Sequence, residues 1–236
     1  MKEHPILFNR EMILALHAGR KTQTRRIMNP QPVVSDTGWH SLPHYSVSSE
    51  SGFRHGAPFF GRCPYGAASD RLWVREAWRV TAKHDAIAPR DLPFERGMTI
   101  MYDAGGSRAH DETGQYVNAP DYPPTRPTWA GKGRPSIHMP RVASRTTIEV
   151  MSVRVERLQN ITEEDAKAEG VGRLNASPII YWRNYQTHTL GPNCDDYTCL
   201  SARESYQTLW DSINEARGFG WDTNPWVWVV EFSRAL

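Results

Sequence analysis

The sequence has few cysteines and no long apolar run. Only three cysteines occur among 236 residues, and such a sparse, odd-numbered set does not form a disulfide framework. No segment approaches the roughly 20 apolar residues that a membrane-spanning helix needs. The N-terminal segment MKEHPILFNREM has no apolar stretch followed by small residues, so we expect no secretory signal and a cytoplasmic protein.

The sequence also has no large excess of positive or negative charge. The net charge of +2 is too small to indicate nucleic-acid binding by itself, and the strongest basic cluster is HAGRKTQTRR, residues 17–26. The chain contains no Walker loop, dinucleotide fingerprint or HExxH motif, and we predict no cofactor. Nine tryptophans and nine tyrosines are present instead. Because each ring buries a large area, they predict a compact core surrounded by polar loops.

Residue patterns predict a few strands and three short helices. Alternating or continuous apolar residues predict strands at HPILF, DRLWVREAWRV, MTIMY, SRTTIEVMSVRVERL and PWVWVVEF. Capping residues predict helices from Asn9 to His17, over ITEEDAKAEGV, and from Ser201 onward. These elements favour an α+β fold, a small mixed or barrel-like β structure with helices at its rim.

Three stretches show no sustained period and read as insertions. They cover about residues 29–70, 83–135 and 171–200. We interpret them as additions to one domain that spans residues 1–236, and not as a second domain.

Two charged residues draw attention at predicted helix ends. Lys21 follows the first helix, where a cation near the negative end of the helix dipole contributes about 0.3–1 kcal/mol. Glu169 lies in the last turn of its helix, where a carboxylate is disfavoured. Such a break of a local rule is enriched at functional sites, but many exposed glutamates occupy the same position harmlessly.

Four segments in a fixed order resemble the ASCH domain family, a relative of the PUA domain. GRKTQTRR fits its G-x-K-x-x-[ET]-x-R signature, and SDRLWVREAW, ITEEDAKAEGV and PWVWVVEF are similar to later segments. The combination of CPYGAASDRLWVREAW, RPSIHMPRVASR and NPWVWVVEF is most similar to ASCH proteins of bacteriophages and prophages. The resemblance implies a small PUA-like β-barrel with peripheral short helices and long loop insertions, and a role in RNA or nucleoside chemistry.

One bacterial branch of this family hydrolyses N(4)-acetylcytidine with a lysine, a threonine and a glutamate. The resemblance assigns these catalytic roles to Lys21, Thr24 and Glu169. A threonine hydroxyl is a poor nucleophile without an adjacent base, and a lysine with a pKa lowered by burial is a candidate for that base. Pairing with Glu169 would oppose this shift, so the division of roles stays open.

Six further residues are candidates for substrate binding. They are Arg20, Arg25, Arg26, Trp73, Glu76 and Trp78. Arginines bind phosphate and tryptophans stack on bases, although strand tryptophans more often belong to the core. Glu76 falls on an apolar strand face, where a carboxylate needs a partner such as Arg75, Arg26 or a backbone donor.

Three other functions and a zinc site remain alternatives. The protein is either the amidohydrolase, a non-catalytic RNA or modified-base binding module, a ribonuclease, or a structural or host-interaction protein of a phage. We expect a modified nucleoside or RNA as the partner, with no membrane and no protein partner. Cys63, Cys194 and Cys199, with His40, His44 or His55, form a minority zinc hypothesis, and the prediction is no metal.

Overall fold

The protein is an α+β structure that consists mostly of strands. The computed structural model describes residues 1–34, 40–41, 63–94, 98–110, 116–119, 127–176, 178–187 and 196–234. The α-helices within these ranges are α1 Arg10–His17, α2 Glu163–Ala168 and α3 Ala202–Asn214. The strands are β1 Glu3–Leu7, β2 Gln23–Ile27, β3 Val33–Val34, β4 His40–Ser41, β5 Arg71–Arg75, β6 Trp78–Val80, β7 Thr99–Tyr102, β8 Ser107–His110, β9 Tyr116–Ala119, β10 Thr147–Arg157, β11 Arg173–Ala176, β12 Ile179–Trp182 and β13 Trp226–Arg234.

The predicted capping residues begin all three helices. Asn9 Oδ1 accepts a hydrogen bond from Met12 N at 2.9 Å. Thr162 and Asp165 form a capping box at the start of α2, and the side chain of Ser201 accepts from Glu204 N at 3.0 Å. Each cap satisfies a backbone N–H that the helix itself leaves without a partner. The three helix predictions are therefore confirmed.

The chain divides into two compact units. Unit 1 comprises Met1–Leu14, Ser69–Glu149 and Arg234–Leu236, and unit 2 comprises Ala15–Ala68 and Val150–Ser233. The expectation of a single domain with insertions stays a prediction.

Unit 1 contains a parallel strand pair and an antiparallel meander. β1 pairs in parallel with β5, which pairs antiparallel with the first residues of β10. The meander has the order β6-β7-β8-β9. Its core is built from the apolar faces of β6 and β7 and from nearby loops; the buried side chains are Trp78, Val80, Leu92, Met98, Ile100, Tyr102, Met139 and Ala143.

In unit 2, helix α3 packs against strands that follow the order β10-β13-β2. The apolar stripe of α3, including Tyr206, Leu209 and Trp210, shares one buried cluster with Val227 and Val229 of β13. β13 has neighbours on both sides, which agrees with its continuous β-branched and aromatic sequence. β2 lies at the edge of this strand set. β11 and β12 form a separate antiparallel hairpin.

Three predictions about strands need correction. DRLWVREAWRV is two strands, because the chain leaves one sheet after Arg75 and enters the meander at Trp78, with Glu76 and Ala77 between them. The stretch 83–135 contains β8 and β9 besides the predicted MTIMY strand, and the stretch 171–200 contains the β11–β12 hairpin. The strand β8, with the sequence SRAH, carries no apolar alternation, whereas β12, with the sequence IIYW, is apolar but only four residues long.

The described residues contain no closed barrel and no membrane-spanning candidate. Their sheets are open arrangements of five, four, two and two strands. No helix in the described part of the chain is both long enough and apolar enough to cross a membrane.

Gly170, just beyond helix α2, lies close to the segment that leads into β2. Its φ is +85°, and a Cβ at this position would lie 2.7 Å from Ala15 Cβ and 2.9 Å from Lys21 Cβ. Gly19, with φ +71°, has open space around it. We expect Gly19→Ala to cost about 1 kcal/mol through backbone strain alone, and Gly170→Ala to cost about 1–3 kcal/mol more through steric crowding. Urea denaturation measures both, and equal costs would contradict the close packing.

Candidate functional site

Lys21 is held between α1 and β2 by a turn that starts at Gly19. The backbone N–H groups of Arg20 and Lys21 both donate to the carbonyl of Ala15, at 2.9 and 3.1 Å. Gly19 supplies the left-handed conformation that this reversal requires. The turn therefore fixes the backbone of Lys21 before the strand begins.

Glu169 is the C-terminal capping residue of helix α2, and Gly170 ends the helix. The last carbonyls of a helix lack partners within it and carry partial negative charge. Arg20 Nη1 donates to the carbonyls of Gly170 and Val171 at 3.0 and 3.2 Å. Arg20 of the GRKTQTRR segment thus binds the carbonyls just beyond the end of α2, whereas the sequence suggested that a cation of this segment would stabilise the end of α1.

The ammonium of Lys21 and the carboxylate of Glu169 form a buried ion pair. Lys21 Nζ donates to Glu169 Oε2 at 2.8 Å, to the Glu169 carbonyl at 2.9 Å and to the Gln23 carbonyl at 2.8 Å. The two side chains are 0% and 2% exposed. Three acceptors match the three N–H bonds of an ammonium, so the pair is both desolvated and well hydrogen-bonded.

The Gln23 carbonyl in this arrangement belongs to the edge of the sheet. Thr22 O accepts from Phe232 N at 2.9 Å and so faces β13. Successive carbonyls alternate between the two edges of a strand, which directs Gln23 O away from β13. Lys21 therefore joins the edge of β2 to the C-terminal end of α2.

Burial and ion pairing act on Lys21 in opposite directions. Burial lowers the pKa of Lys21, and the attraction and hydrogen bond of Glu169 offset part of that shift. The pKa remains below the usual lysine value. This is the direction that a lysine acting as a base requires.

Arg25 extends the ion pair into a larger group of charges. Its guanidinium is fully buried and donates from Nη2 to Asp165 at 2.9 Å and to Glu156 at 3.1 Å. Nη1 lies 3.6 Å from Glu169 Oε1. The guanidinium that we expected to bind phosphate is instead bound to carboxylates, and its role in substrate binding stays a prediction.

Arg154 connects the same carboxylates to the surface. It donates to Glu156 at 2.6 Å and to Asp165 at 3.2 Å, and it also binds Glu231. We call the residues Lys21, Arg25, Arg154, Glu156, Asp165, Glu169 and Glu231 the Lys21 cluster. Three cations face four carboxylates in it. Burial by itself would raise the pKa of Asp165, but attraction and hydrogen bonding by Arg25 outweigh it and lower that pKa.

Thr24 lies beside this cluster in β2. It is buried and pairs with Val230. Lys21 binds the peptide group that directly precedes Thr24. Because side chains alternate along a strand, Thr24 points to the face opposite that of Gln23 and Arg25. The structure thus joins Lys21 to Glu169 directly and brings Thr24 next to them along the backbone.

The remaining substrate-binding candidates divide between the units. Arg20 and Arg26 belong to unit 2, where Arg20 is exposed and Arg26 is half-buried. Trp73, Glu76 and Trp78 belong to unit 1.

The unit 1 candidates have partners of their own. Trp78 is fully buried and stacks on Phe94, with ring centroids 6.3 Å apart, which places it in the core. Trp73 is buried, and the guanidinium of Arg75 lies 4.5 Å from its ring centroid. Their roles in base stacking stay predictions.

Glu76 is a buried carboxylate with a partner that the sequence did not identify. Arg145 Nε and Nη2 donate to its two oxygens, each at 2.9 Å, and the Arg145 guanidinium lies 4.0 Å from the Tyr102 ring centroid. Burial raises the pKa of Glu76, and Arg145 offsets part of the increase. The expected structural pairing exists, with Arg145 in place of Arg75 or Arg26.

The described residues give no group of three potential metal ligands. Cys63 and Cys199 are free thiols, and burial raises the pKa of each to about 11. Cys194, His44 and His55 lie outside the described residues, as does the side chain of His40.

Sequence reasoning missed Glu156 and Arg154, which share one face of β10. The segment VRVER alternates charged with apolar residues, and this pattern indicates a strand face that carries charge. Two charges of opposite sign at i and i+2 on a predicted long strand were the available signal.

Comparison with known proteins adds no relative. Searches with family models, among curated proteins and among solved structures found no match to this chain.

Because Lys21 and Glu169 form a buried ion pair, we expect substitutions of the two residues to have strongly coupled effects on the free energy of unfolding. Either Lys21→Met or Glu169→Gln leaves an uncompensated buried charge, and we expect each to cost about 3–5 kcal/mol. The double variant should cost clearly less than the sum. Lys167 and Glu164, exposed and 4.0 Å apart, provide the matched control, with an expected cost of about 0–1 kcal/mol. Urea denaturation of all variants measures the coupling, and additive costs at Lys21 and Glu169 would contradict it.

The lowered pKa of Asp165 predicts that the folded protein loses stability at acid pH. Because its folded pKa is lowered, its stabilising contribution is complete above the ordinary aspartate pKa of 3.8 and is lost as the pH falls through the lower folded value. We expect Asp165→Asn to flatten the dependence of the free energy of unfolding on pH below about 4. Glu164→Gln, at an exposed carboxylate of the same helix, is the control. If the free energy of unfolding of Asp165→Asn falls at acid pH as steeply as that of the wild type, other groups cause the loss of stability.

Proposed function

We propose that this protein is an ASCH-type hydrolase that acts on the amide bond of an acylated cytidine or a related modified nucleoside. Lys21, Thr24 and Glu169 form its catalytic group, on a small PUA-like barrel with long insertions. The observation that supports this proposal is the 2.8 Å contact between Lys21 and Glu169, which are 148 residues apart in sequence. A nucleoside or RNA substrate agrees with the cytoplasmic location that we also propose.

The proposed reaction depends on two opposing effects on the pKa of Lys21: burial lowers it, and Glu169 raises it. Glu169 accepts a proton from the ammonium, and the neutral amine takes the hydroxyl proton of Thr24. The Thr24 oxygen then forms a bond to the acyl carbon, and the bond between that carbon and N4 breaks as N4 receives the proton from Lys21. Water releases the acyl group as a carboxylic acid and restores the threonine. For the first step, Lys21 must exchange one of its three acceptors for the Thr24 hydroxyl, which requires the Lys21 amine to reach the opposite face of β2, where the Thr24 side chain lies.

A non-catalytic base-binding module is the second candidate. The hydrogen bonding of the Lys21 ammonium favours it, because three acceptors stabilise the charged form of Lys21 and that form cannot accept a proton. In that case the same pocket holds the base, the arginines hold phosphate, and no chemistry takes place.

Incubation with N(4)-acetylcytidine distinguishes the two candidates. We expect the wild-type protein to release cytidine, and Thr24→Ala to lose at least about 10³-fold in kcat/KM, the order of effect for removal of an activated nucleophile. Thr24→Ser should retain measurable turnover. Chromatography of cytidine measures each rate.

Thr22→Ala is the matched control, since Thr22 is exposed in the same segment, and we expect wild-type rates from it. Absence of cytidine release by the wild type, or equal rates in Thr24→Ala and the wild type, would contradict the hydrolase.

A further inference from the structure

Gln23 is a buried, uncharged residue among the charges of the Lys21 cluster. It is only 2% exposed, and its backbone carbonyl accepts a hydrogen bond from Lys21 Nζ at 2.8 Å. Side chains two residues apart on a strand share one face, so the amide of Gln23 lies on the same face of β2 as the guanidinium of Arg25. Gln23 therefore binds Lys21 through its backbone and faces Arg25 with its side chain.

The amide group of Gln23 joins Arg25 to Asp165. Of the two orientations that the amide can take, only one satisfies both of its ends: Nε2 then donates to Asp165 Oδ1 at 3.0 Å, and Oε1 accepts from Arg25 Nη1. The reverse orientation would place the oxygen against an acceptor and the nitrogen against a donor. Because buried polar groups are hydrogen-bonded, the surroundings select the first orientation.

This contact bears on the position of Arg25 Nη1. That nitrogen lies 3.6 Å from Glu169 Oε1, which is beyond hydrogen-bonding distance. The other terminal nitrogen of Arg25, Nη2, is held by Asp165 and Glu156. The carboxylate of Glu169 accepts its hydrogen bond from Lys21 instead, at 2.8 Å. Gln23 and Glu169 thus offer two acceptors to one nitrogen, and Gln23 holds the hydrogen bond.

We propose that Gln23 is a positioning residue for Lys21: by holding Arg25 Nη1, it keeps the guanidinium from closing on Glu169, and the carboxylate remains the partner of the Lys21 ammonium. This inference rests on the proposed function, in which Lys21 and Glu169 exchange a proton. Gln23 contacts no reacting atom in that reaction. It acts on Lys21 through Arg25 and Glu169.

The charges around Lys21 determine the direction of the expected effect. Burial lowers the pKa of Lys21, Glu169 raises it, and the positive charges of Arg26 and Arg25 lower it further. A guanidinium closer to Glu169 would neutralise more of the carboxylate charge, so the pKa of Lys21 would fall. A new carboxylate bound to Arg25 would have the opposite effect. The other titratable groups of the surrounding elements are Arg154 and Glu156 of β10, Asp165 of α2, Tyr206 of α3 and Glu231 of β13.

Titration of Lys21 by NMR spectroscopy, with carbon-13 at the lysine ε carbons, tests the inference on the whole protein. Lys21 is one of five lysines, and the other four are exposed and can each be assigned by replacement with arginine. Gln23→Met keeps a side chain of similar length and removes both amide contacts, so we expect the pKa of Lys21 to fall. Gln23→Glu offers a carboxylate to Arg25, and we expect that pKa to rise by about 1, the order of effect of an added opposite charge nearby.

Gln186→Glu is the matched control, because it adds the same charge at an exposed glutamine of unit 2. It should leave the titration of Lys21 unchanged. Opposite shifts in the two Gln23 variants support the inference, whereas an unchanged pKa in both, or shifts of the same sign, would overturn it. If Gln23→Glu does not fold, Gln23→Met decides alone: a lowered pKa supports the inference, and an unchanged or raised pKa rejects it.

The same variants separate this inference from the proposed reaction. Opposite shifts in the Lys21 titration, without release of cytidine from N(4)-acetylcytidine by the wild type, support the role of Gln23 and reject the hydrolase. Release of cytidine with an unchanged Lys21 titration in both Gln23 variants rejects the role of Gln23 and leaves the hydrolase. If both proposals hold, the pH at which kcat/KM is half-maximal should move in the same direction as the pKa of Lys21 in each variant.

Discussion

The contact between Lys21 and Glu169 is the interaction on which the site in unit 2 depends. It joins three features that would otherwise be unsatisfied: the free edge of β2, the C-terminal carbonyls of α2, and a carboxylate at the unfavourable end of a helix dipole. A buried charge is tolerated only when it is paired and hydrogen-bonded. The pair meets both conditions, and it does so with a backbone approach that requires glycine at position 170.

Local signals in the sequence predicted the parts of the fold that have local causes. The caps at Asn9, Thr162 and Ser201 act within three residues, so they could be recognised in the sequence and were confirmed. Apolar alternation predicted β10 over its full length. Glu169 also carried a local signal, because an acid at a helix C-terminus breaks the dipole rule. Its pairing with Lys21 was expected only from the resemblance to the ASCH family.

Features with long-range causes could not be predicted in this way. Arg145 pairs with Glu76 across 69 residues, and Arg25 binds Asp165 across 140. No spacing rule connects such positions, so the basic segment predicted phosphate binding by Arg25, whereas the fold surrounds Arg25 with carboxylates. The four-residue strands β8 and β9 were missed for a related reason, because their pairing within the meander defines them and neither has an extended pattern of its own.

The long separation between Lys21 and Glu169 has a kinetic consequence. The chain must lose conformational entropy to close a loop of this length before the contact can contribute any stability. The two charges must also lose their hydration when they meet. We infer that the pair forms after the folding transition state, so changes to it accelerate unfolding and leave the folding rate nearly unaltered. The lifetime of the native state, and not the speed of its formation, is then what this ion pair controls.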